Sequence, residues 1–255
     1  MQWYRKVGIG IVIVVAVAAS LLLIAGYQSY QQSLSSSYRY RIAIEGAGTI
    51  TNATFIVPLP FSEGGPEIGD EIVAGNLSGV PEGWQLAVLT SEDAHMLRIS
   101  FEEYTFEAVP LPEPVDEGET DSPAGPKEAG RAIPVRMEVS LPTAPHIDTR
   151  DPLGNEPLLY PKSDITPTAC PFPSPASQAP ECFGYQTSLL ALYDAPPGCE
   201  LTLEVGLVGE NTWWVGGWSG NSYRDQVLVT LSPRVKGWRE VSGSLVTGEG
   251  RYSWL

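Results

Sequence analysis

The sequence predicts an all-β ectodomain, antiparallel and β-sandwich-like, carried on a single N-terminal transmembrane helix. The helix is predicted by one apolar run near the N-terminus, at residues 7–26. The β fold is predicted by short segments in which apolar and polar side chains alternate between Gly- and Pro-containing turns. Outside the apolar run no segment has a helical period, and many short strands are typical of a sandwich or a barrel.

The apolar run contains no charged side chain, and its one strongly polar residue is Ser20. As a helix it spans about 30 Å, the thickness of the hydrocarbon core of a bilayer. Arg5 and Lys6 precede it, which predicts that residues 1–6 are a cytoplasmic tail. We therefore expect a single-pass protein of the cell membrane, with lipid around the helix and the C-terminal domain outside the cell.

A cleaved signal peptide is the alternative interpretation of this segment. Ala16-Val17-Ala18 has the small-x-small pattern of a cleavage site. The run continues through residues 21–24, LLLI, which a removable signal does not need. The sequence therefore favours an uncleaved anchor.

Composition divides the rest of the chain. Residues 27–37, YQSYQQSLSSS, predict a flexible Ser/Gln-rich stalk. We expect a first, acidic β region at 38–111, a Pro-rich acidic linker or loop at 112–130, and a second β region at 131–255.

Period-two alternation marks the individual strands. It occurs in these sets: Tyr38-Tyr40-Ile42-Ile44, Trp84-Leu86-Val88, Val135-Met137-Val139-Leu141, Leu201-Leu203-Val205-Leu207 and Val227-Val229-Leu231. One further strand changes phase between Phe101 and Tyr104, which predicts a β-bulge at Glu102-Glu103. Residues 218–222, WSGNS, are predicted to form the tip of a hairpin.

Three cysteines are present, and an outward-facing domain is commonly in an oxidising compartment. We predict a disulfide between Cys170 and Cys182, which closes a short Pro-rich loop, and an unpaired Cys199. The alternative is three reduced cysteines. The spacings match no zinc-finger pattern.

The charge balance excludes one class of partner. The chain has 15 Lys and Arg against 30 Asp and Glu, for a formal charge of -15. Nucleic-acid binding depends on clustered Lys and Arg, so we expect no nucleic-acid partner.

Four aromatic residues lie within eleven positions of the C-terminal β region, with glycines between them: Trp213, Trp214, Trp218 and Tyr223. Exposed on a β surface, such rings could stack on a glycan or another ligand, assisted by Asn211, Asn221 and Asp225. The alternative is that alternate rings fill the core while the others cover the hairpin.

Asn52-Ala53-Thr54 and Asn76-Leu77-Ser78 match the N-glycosylation acceptor pattern, which predicts a glycoprotein with exposed asparagines at 52 and 76. Two such matches support an exported domain only weakly, since this number is close to chance.

Catalytic motifs are missing from the sequence: it contains no nucleophile elbow, H-E-x-x-H, P-loop or Rossmann pattern. Glu102-Glu103 could belong to a glycosidase pair only through a spatial partner, so no catalytic residue is assigned. Two acidic runs, at 116–121 and 148–156, lack the spacing of an EF-hand, so no metal or cofactor is expected.

These observations favour a membrane-anchored cell-surface protein whose non-catalytic β domain has a structural or protein-interaction role, with a protein partner or self-assembly at the surface. A glycan- or ligand-binding module that uses the aromatic hairpin is one alternative. An extracellular hydrolase is the other.

Overall fold

The computed structural model describes residues 2–62, 68–91, 94–109, 131–144, 146–170, 179–233 and 236–252. These residues contain two helices and thirteen strands, and about 60% of the structure is strand. The elements are α1 Gln2–Ser33, β1 Ser35–Glu45, β2 Gly48–Phe61, α2 Ile68–Val73, β3 Gln85–Ser91, β4 Ala94–Phe106, β5 Ala108–Val109, β6 Arg131–Ala132, β7 Val135–Thr143, β8 Leu158–Tyr160, β9 Ser163–Thr168, β10 Glu181–Asp194, β11 Leu201–Trp214, β12 Trp218–Leu231 and β13 Gly237–Gly250.

One antiparallel sheet dominates the fold. Its strand order is β3-β4-β2-β10-β13-β12-β11-β1-β7, with β8 paired to β2 and β9 paired to β10, while β5 and β6 form a separate ladder. The sheet curls into a half-barrel, and α2 contacts β3 at one edge and β7 at the other. The predicted antiparallel β class is confirmed, but a sandwich is not.

The two predicted β regions do not form separate sheets among the described residues. Strand β1 pairs with β11, and β2 pairs with β10, so each region supplies neighbours to the other. Alternation marks where strands lie but does not determine their partners. The predicted linker at 112–130 lies outside the described residues.

The stalk expected at residues 27–37 is regular structure instead. Helix α1 continues to Ser33, and β1 begins at Ser35. The serines that suggested flexibility make hydrogen bonds in this structure: the Ser33 hydroxyl donates to the carbonyl of Ser29, one turn earlier, at 2.6 Å. The β domain therefore follows the apolar helix with one intervening residue.

Strand β4 changes its buried face after Phe101, as its sequence predicts, and Phe106 is buried in the other phase. The bulge predicted at Glu102-Glu103 is wrong, because the pairing of β4 with β2 keeps a constant register through this level. The irregularity lies in β2, where Asn52 has a φ of 51°, and in the β2–β10 pairing, whose register shifts beside it.

The tip of the β11–β12 hairpin also differs from the prediction. Trp214 pairs with Trp218, so residues 215–217 form the turn and β12 already begins at Trp218. Gly216, with a φ of 64°, supplies the left-handed conformation that this turn needs. The Val215 N–H donates to the carbonyl of Gly217 at 3.0 Å.

Two glycines each face a tyrosine ring across a strand pair. Gly209 pairs with Tyr223, and a Cβ on Gly209 would lie 2.2 Å from Cε1 of that ring. Gly243 pairs with Tyr185, and a Cβ there would lie 2.1 Å from Cζ. The interior rings therefore occupy the space that a side chain on either glycine would need.

We expect Gly209→Ala to lower the free energy of unfolding by about 1–3 kcal/mol, because the added methyl group displaces a buried ring. Gly206→Ala on the same strand is the matched control, since its Cβ would meet nothing nearer than 3.9 Å. The control should change stability by less than about 1 kcal/mol. Urea unfolding of the full chain in detergent micelles measures both, and equal losses would contradict the ring contact.

Candidate functional site

The aromatic hairpin divides between the core and the surface. Trp213 and Tyr223 are 3% and 0% exposed, whereas Trp214 and Trp218 are 43% and 74% exposed. The two exposed residues face each other beside the turn. Asn221, which was expected to assist ligand binding next to the rings, is buried. Alternate rings therefore fill the core, and the exposed pair lacks the polar partners that a glycan site was expected to use.

The hairpin contacts the last turns of α1. The hydroxyl of Ser29 donates to the carbonyl of Trp214 at 3.0 Å, and the Trp214 N–H donates to the hydroxyl of Ser33 at 2.8 Å. The ring of Tyr30 meets the ring of Trp213 edge-on, with 5.7 Å between centroids. These contacts fix the exposed tryptophans beside the end of the apolar helix.

A second feature is the segment at residues 147–162, here called the inner segment. Ile147, Thr149 and Leu159 within it are at most 1% exposed. Side chains from β1, β10, β11 and β12 form hydrogen bonds with it along its length. The inner face of the half-barrel therefore binds part of its own chain.

At the start of the inner segment, Asn211 binds both backbone groups of one residue. Its Oδ1 accepts from Ile147 N at 3.0 Å, and its Nδ2 donates to the carbonyl of Ile147 at 2.8 Å. Ser36 donates to the same Oδ1 at 2.6 Å, and Nδ2 also lies 2.8 Å from Oδ1 of Asn221. Thr149 donates to that Asn221 oxygen at 2.8 Å, which completes a buried network.

At the end of the inner segment, a fully buried carboxylate receives three donors. Oδ2 of Asp225 accepts from Lys162 Nζ at 2.5 Å and from Leu159 N at 2.8 Å, and Oδ1 accepts from the Tyr185 hydroxyl at 2.6 Å. Nζ of Lys162 also lies 3.6 Å from the centroid of the Tyr185 ring. Burial lowers the pKa of Lys162, and the negative charge of Asp225 opposes that change.

Three more interior tyrosines donate their hydroxyls to buried or partly buried acceptors. Tyr38 donates to the Glu156 carboxylate, Tyr40 to the carbonyl of Pro58, and Tyr223 to the carbonyl of Pro157. Burial is the main cause that raises the pKa of each of these tyrosines and of Tyr185. The folded structure therefore stabilises the protonated form of these tyrosine side chains.

The raised pKa values predict loss of stability in alkali. Below pH 10.0, the ordinary pKa, the folded and unfolded chains both keep the tyrosine protons, so the stabilisation is fully present. Above it, the unfolded chain ionises while Tyr40 and Tyr223 stay neutral in the fold, which removes about 1.4 kcal/mol per pH unit for each of them.

Ultraviolet absorbance of tyrosinate, recorded with circular dichroism, measures this. We expect a group of tyrosines that ionise only as the β signal is lost. Complete ionisation near pH 10 with an intact β signal would contradict the raised pKa values.

Metal-ligating side chains are not clustered in the described part of the chain. There, no three His, Cys, Asp or Glu side chains come together as metal ligands. Glu102 and Glu103 line an open groove of about 640 Å³ whose lining contains no His, Lys or Arg. Glu82 lines the same groove, so three carboxylates border one open space, and carboxylates are the groups that a glycosidase pair uses.

The acidic run in the inner segment has a structural role. Oδ1 of Asp148 accepts from the N–H groups of Arg150 and Asp151, each at 3.1 Å. Oε1 of Glu156 accepts from the N–H of Asp148 at 2.7 Å. One oxygen each of Asp148 and Glu156 therefore bonds to the backbone of its own loop. The other acidic run, 116–121, lies outside the described residues.

The two acceptor asparagines are exposed and hydrogen-bonded. Nδ2 of Asn52 donates to Asp194 at 3.1 Å, and Nδ2 of Asn76 donates to Glu71 at 2.5 Å. Exposure is the property that the glycosylation prediction requires, and the modification itself stays a prediction.

The cysteine prediction is confirmed. Cys170 and Cys182 form a disulfide, and Cys199 is a free, buried thiol. Cys182 is the second residue of β10, and Cys170 lies shortly after the end of β9. The disulfide therefore links these two paired strands covalently.

The inner segment was not predicted from the sequence, although a signal for it exists. Asn211 lies in the same phase as the buried apolar residues of β11, and Tyr223 and Asp225 lie in the buried phase of β12. Polar residues at core positions require buried partners, so they indicate that another segment enters the interior. No protein family, curated protein or solved structure matches this chain.

Proposed function

We propose that the chain is a single-pass, membrane-anchored cell-surface protein whose β domain serves a non-catalytic structural or protein-interaction role. The observation that most supports a membrane anchor is the exposed apolar helix. The most apolar 18-residue window within Gly10–Ser33 has a mean hydropathy of 2.6, and none of that window is buried. Exposed apolar surface costs about 25 cal/mol per Å² in water, so a bilayer is the environment that suits this helix.

The domain is placed outside the cell in this proposal. Arg5 and Lys6 precede the apolar run, which favours an inside N-terminus. The Cys170–Cys182 disulfide suits an oxidising compartment, and Asn52 and Asn76 are then available for glycosylation. Buried hydrogen bonds at both ends of the inner segment, to Ile147 and to Leu159, support a rigid body.

An open sheet edge supports the interaction role. Strand β9 exposes all of its side chains and pairs only with β10 among the described strands. Its other edge can accept a strand from a protein partner or a second copy. The glycan-binding alternative has less support, because only Trp214 and Trp218 are exposed. The hydrolase alternative has only the open groove at Glu102 and Glu103.

Membrane extraction with alkaline carbonate, followed by intact-mass measurement, tests the anchor. We expect the protein to stay in the membrane pellet with its N-terminal segment still attached. A soluble protein that begins after Ala18 would show that the helix is a cleaved signal, and it would overturn the anchor.

Crosslinking on intact cells tests the interaction role. We expect the domain to be recovered in covalent assemblies with a partner protein or with itself. Lysine-directed and carboxylate-directed reagents should both be used, because acidic residues outnumber basic ones, 30 to 15. Recovery solely as a monomer with both reagents would contradict the role.

A further inference from the structure

We propose that the tip of the β11–β12 hairpin is a membrane-contacting surface that lies among the lipid headgroups. This aromatic tip comprises residues 214–218, with Trp214 and Trp218 as its exposed rings. The inference rests on the proposed anchor, because the bilayer in question is the one that α1 spans. The partner that contacts the aromatic tip in this proposal is lipid. The competing interpretation is that the same rings bind a glycan or a protein ligand.

Strand direction places the aromatic tip on the membrane side of the domain. Strand β1 leaves the end of α1, and β11 runs antiparallel to it, with Thr212 opposite Ser35. At about 3.3 Å per residue, Gly216 lies about 13 Å beyond Thr212, back along α1. At about 1.5 Å per residue, the same distance covers about nine residues of helix. The aromatic tip therefore reaches the level of residue 26, where the apolar run ends.

Hydrogen bonds hold the hairpin in this position. Both backbone groups of Trp214 bond to serine hydroxyls on the last turns of α1, Ser29 at 3.0 Å and Ser33 at 2.8 Å. The edge-on contact between Tyr30 and Trp213 adds a ring pair to the same junction. The hairpin and the end of the helix are therefore in direct contact, and the rings lie where the helix leaves the hydrocarbon.

The chemistry of the aromatic tip suits the headgroup region. Its turn, Val215-Gly216-Gly217, carries no charge, and Trp218 is 74% exposed. Tyr27, at the same end of the helix, is 51% exposed. Tryptophan and tyrosine favour the membrane interface because one part of the ring system is apolar and another forms hydrogen bonds. Together these rings form an aromatic belt on one side of the anchor.

The chain contains a matched control ring at the far end of the domain. Trp238 is 59% exposed and lies at the start of β13, whose other end pairs with β12 near the aromatic tip. Trp238 and Gly250 are twelve positions apart, a distance of about 40 Å along the strand. A membrane contact at the aromatic tip leaves Trp238 in water.

Spin labelling of the full chain in lipid nanodiscs tests the proposal. Single nitroxides are placed through Val15→Cys, Gly217→Cys or Trp238→Cys in a Cys199→Ser background. Gly217 is suitable because a Cβ there meets nothing within 4 Å, and Val15 is 62% exposed in the apolar helix. The measured quantity is the ratio of collisions with oxygen, which enters lipid, to collisions with a water-soluble nickel chelate.

We expect the ratio to be highest at position 15, intermediate at 217 and lowest at 238. Adding Trp218→Ser should move the label at 217 toward the aqueous value, while adding Trp238→Ser should not. A lipid-like value at 15 with equal values at 217 and 238 would overturn the membrane contact and leave the anchor intact. An aqueous value at 15 would overturn the anchor and, with it, this inference.

Discussion

Replacing Asp225 with alanine is expected to lower the free energy of unfolding by about 3–5 kcal/mol. The carboxylate is 0% exposed and receives Lys162, Tyr185 and the backbone N–H of Leu159. Its loss leaves a buried ammonium without a counter-charge and two donors without an acceptor. The inner segment should then detach at the end that contains Lys162. Urea unfolding of the full chain in detergent micelles measures the loss.

Two comparison variants test whether the buried ion pair causes the stability loss in Asp225→Ala. Glu210→Ala removes a carboxylate that pairs with Arg39 at 3.0 Å in a partly exposed position, and it should cost less than about 1 kcal/mol. Lys162→Met combined with Asp225→Asn removes both charges and keeps an acceptor, so it should be more stable than Asp225→Ala. Equal losses in Asp225→Ala and Glu210→Ala would contradict a buried ion pair.

Asn211→Ala is expected to have the second large effect, a loss of about 3–4 kcal/mol. The substitution leaves the N–H and the carbonyl of Ile147 without partners in a buried position, and each orphaned group costs about 1–3 kcal/mol. It also removes the acceptor of Ser36 and a donor to Asn221. The start of the inner segment should become accessible to hydrogen exchange at Ile147 before the rest of the sheet does.

Thr212→Ala is the neighbouring control. Thr212 follows Asn211 on β11 and lies in the opposite, less buried phase of the strand, and its hydroxyl donates to the carbonyl of Ser35 at the long distance of 3.5 Å. We expect a change of less than about 1 kcal/mol, as for most surface substitutions. Similar losses in the two variants, or unchanged exchange at Ile147 in Asn211→Ala, would show that the network does not hold the inner segment.

Local pattern predicted the strands well because burial on one face is a property of each segment by itself. Tyr38, Tyr40 and Ile42 alternate in sequence and are all buried in β1. Partner choice is a non-local property, so the interleaving of β1 and β2 with β10 and β11 could not be derived from alternation. The curl of the sheet follows from those pairings and was not predictable either.

The aromatic hairpin was located correctly, but its tip was placed a few residues too late. The sequence 218–222 contains Gly and Asn and suggested a turn, whereas Gly216 and Gly217 form it. Asn221 lies in β12 instead, because its amide bonds inside the half-barrel. Composition does not distinguish an asparagine in a turn from an asparagine whose side chain is buried and hydrogen-bonded.

Protease treatment of intact cells, with separate detection of the two ends of the chain, tests the central claim most directly. The account predicts that protease removes the β domain while a fragment containing residues 1–26 stays in the membrane, protected until the membrane is opened. A β domain that resists protease on intact cells and is cut only after permeabilisation would place it inside the cell and contradict the account.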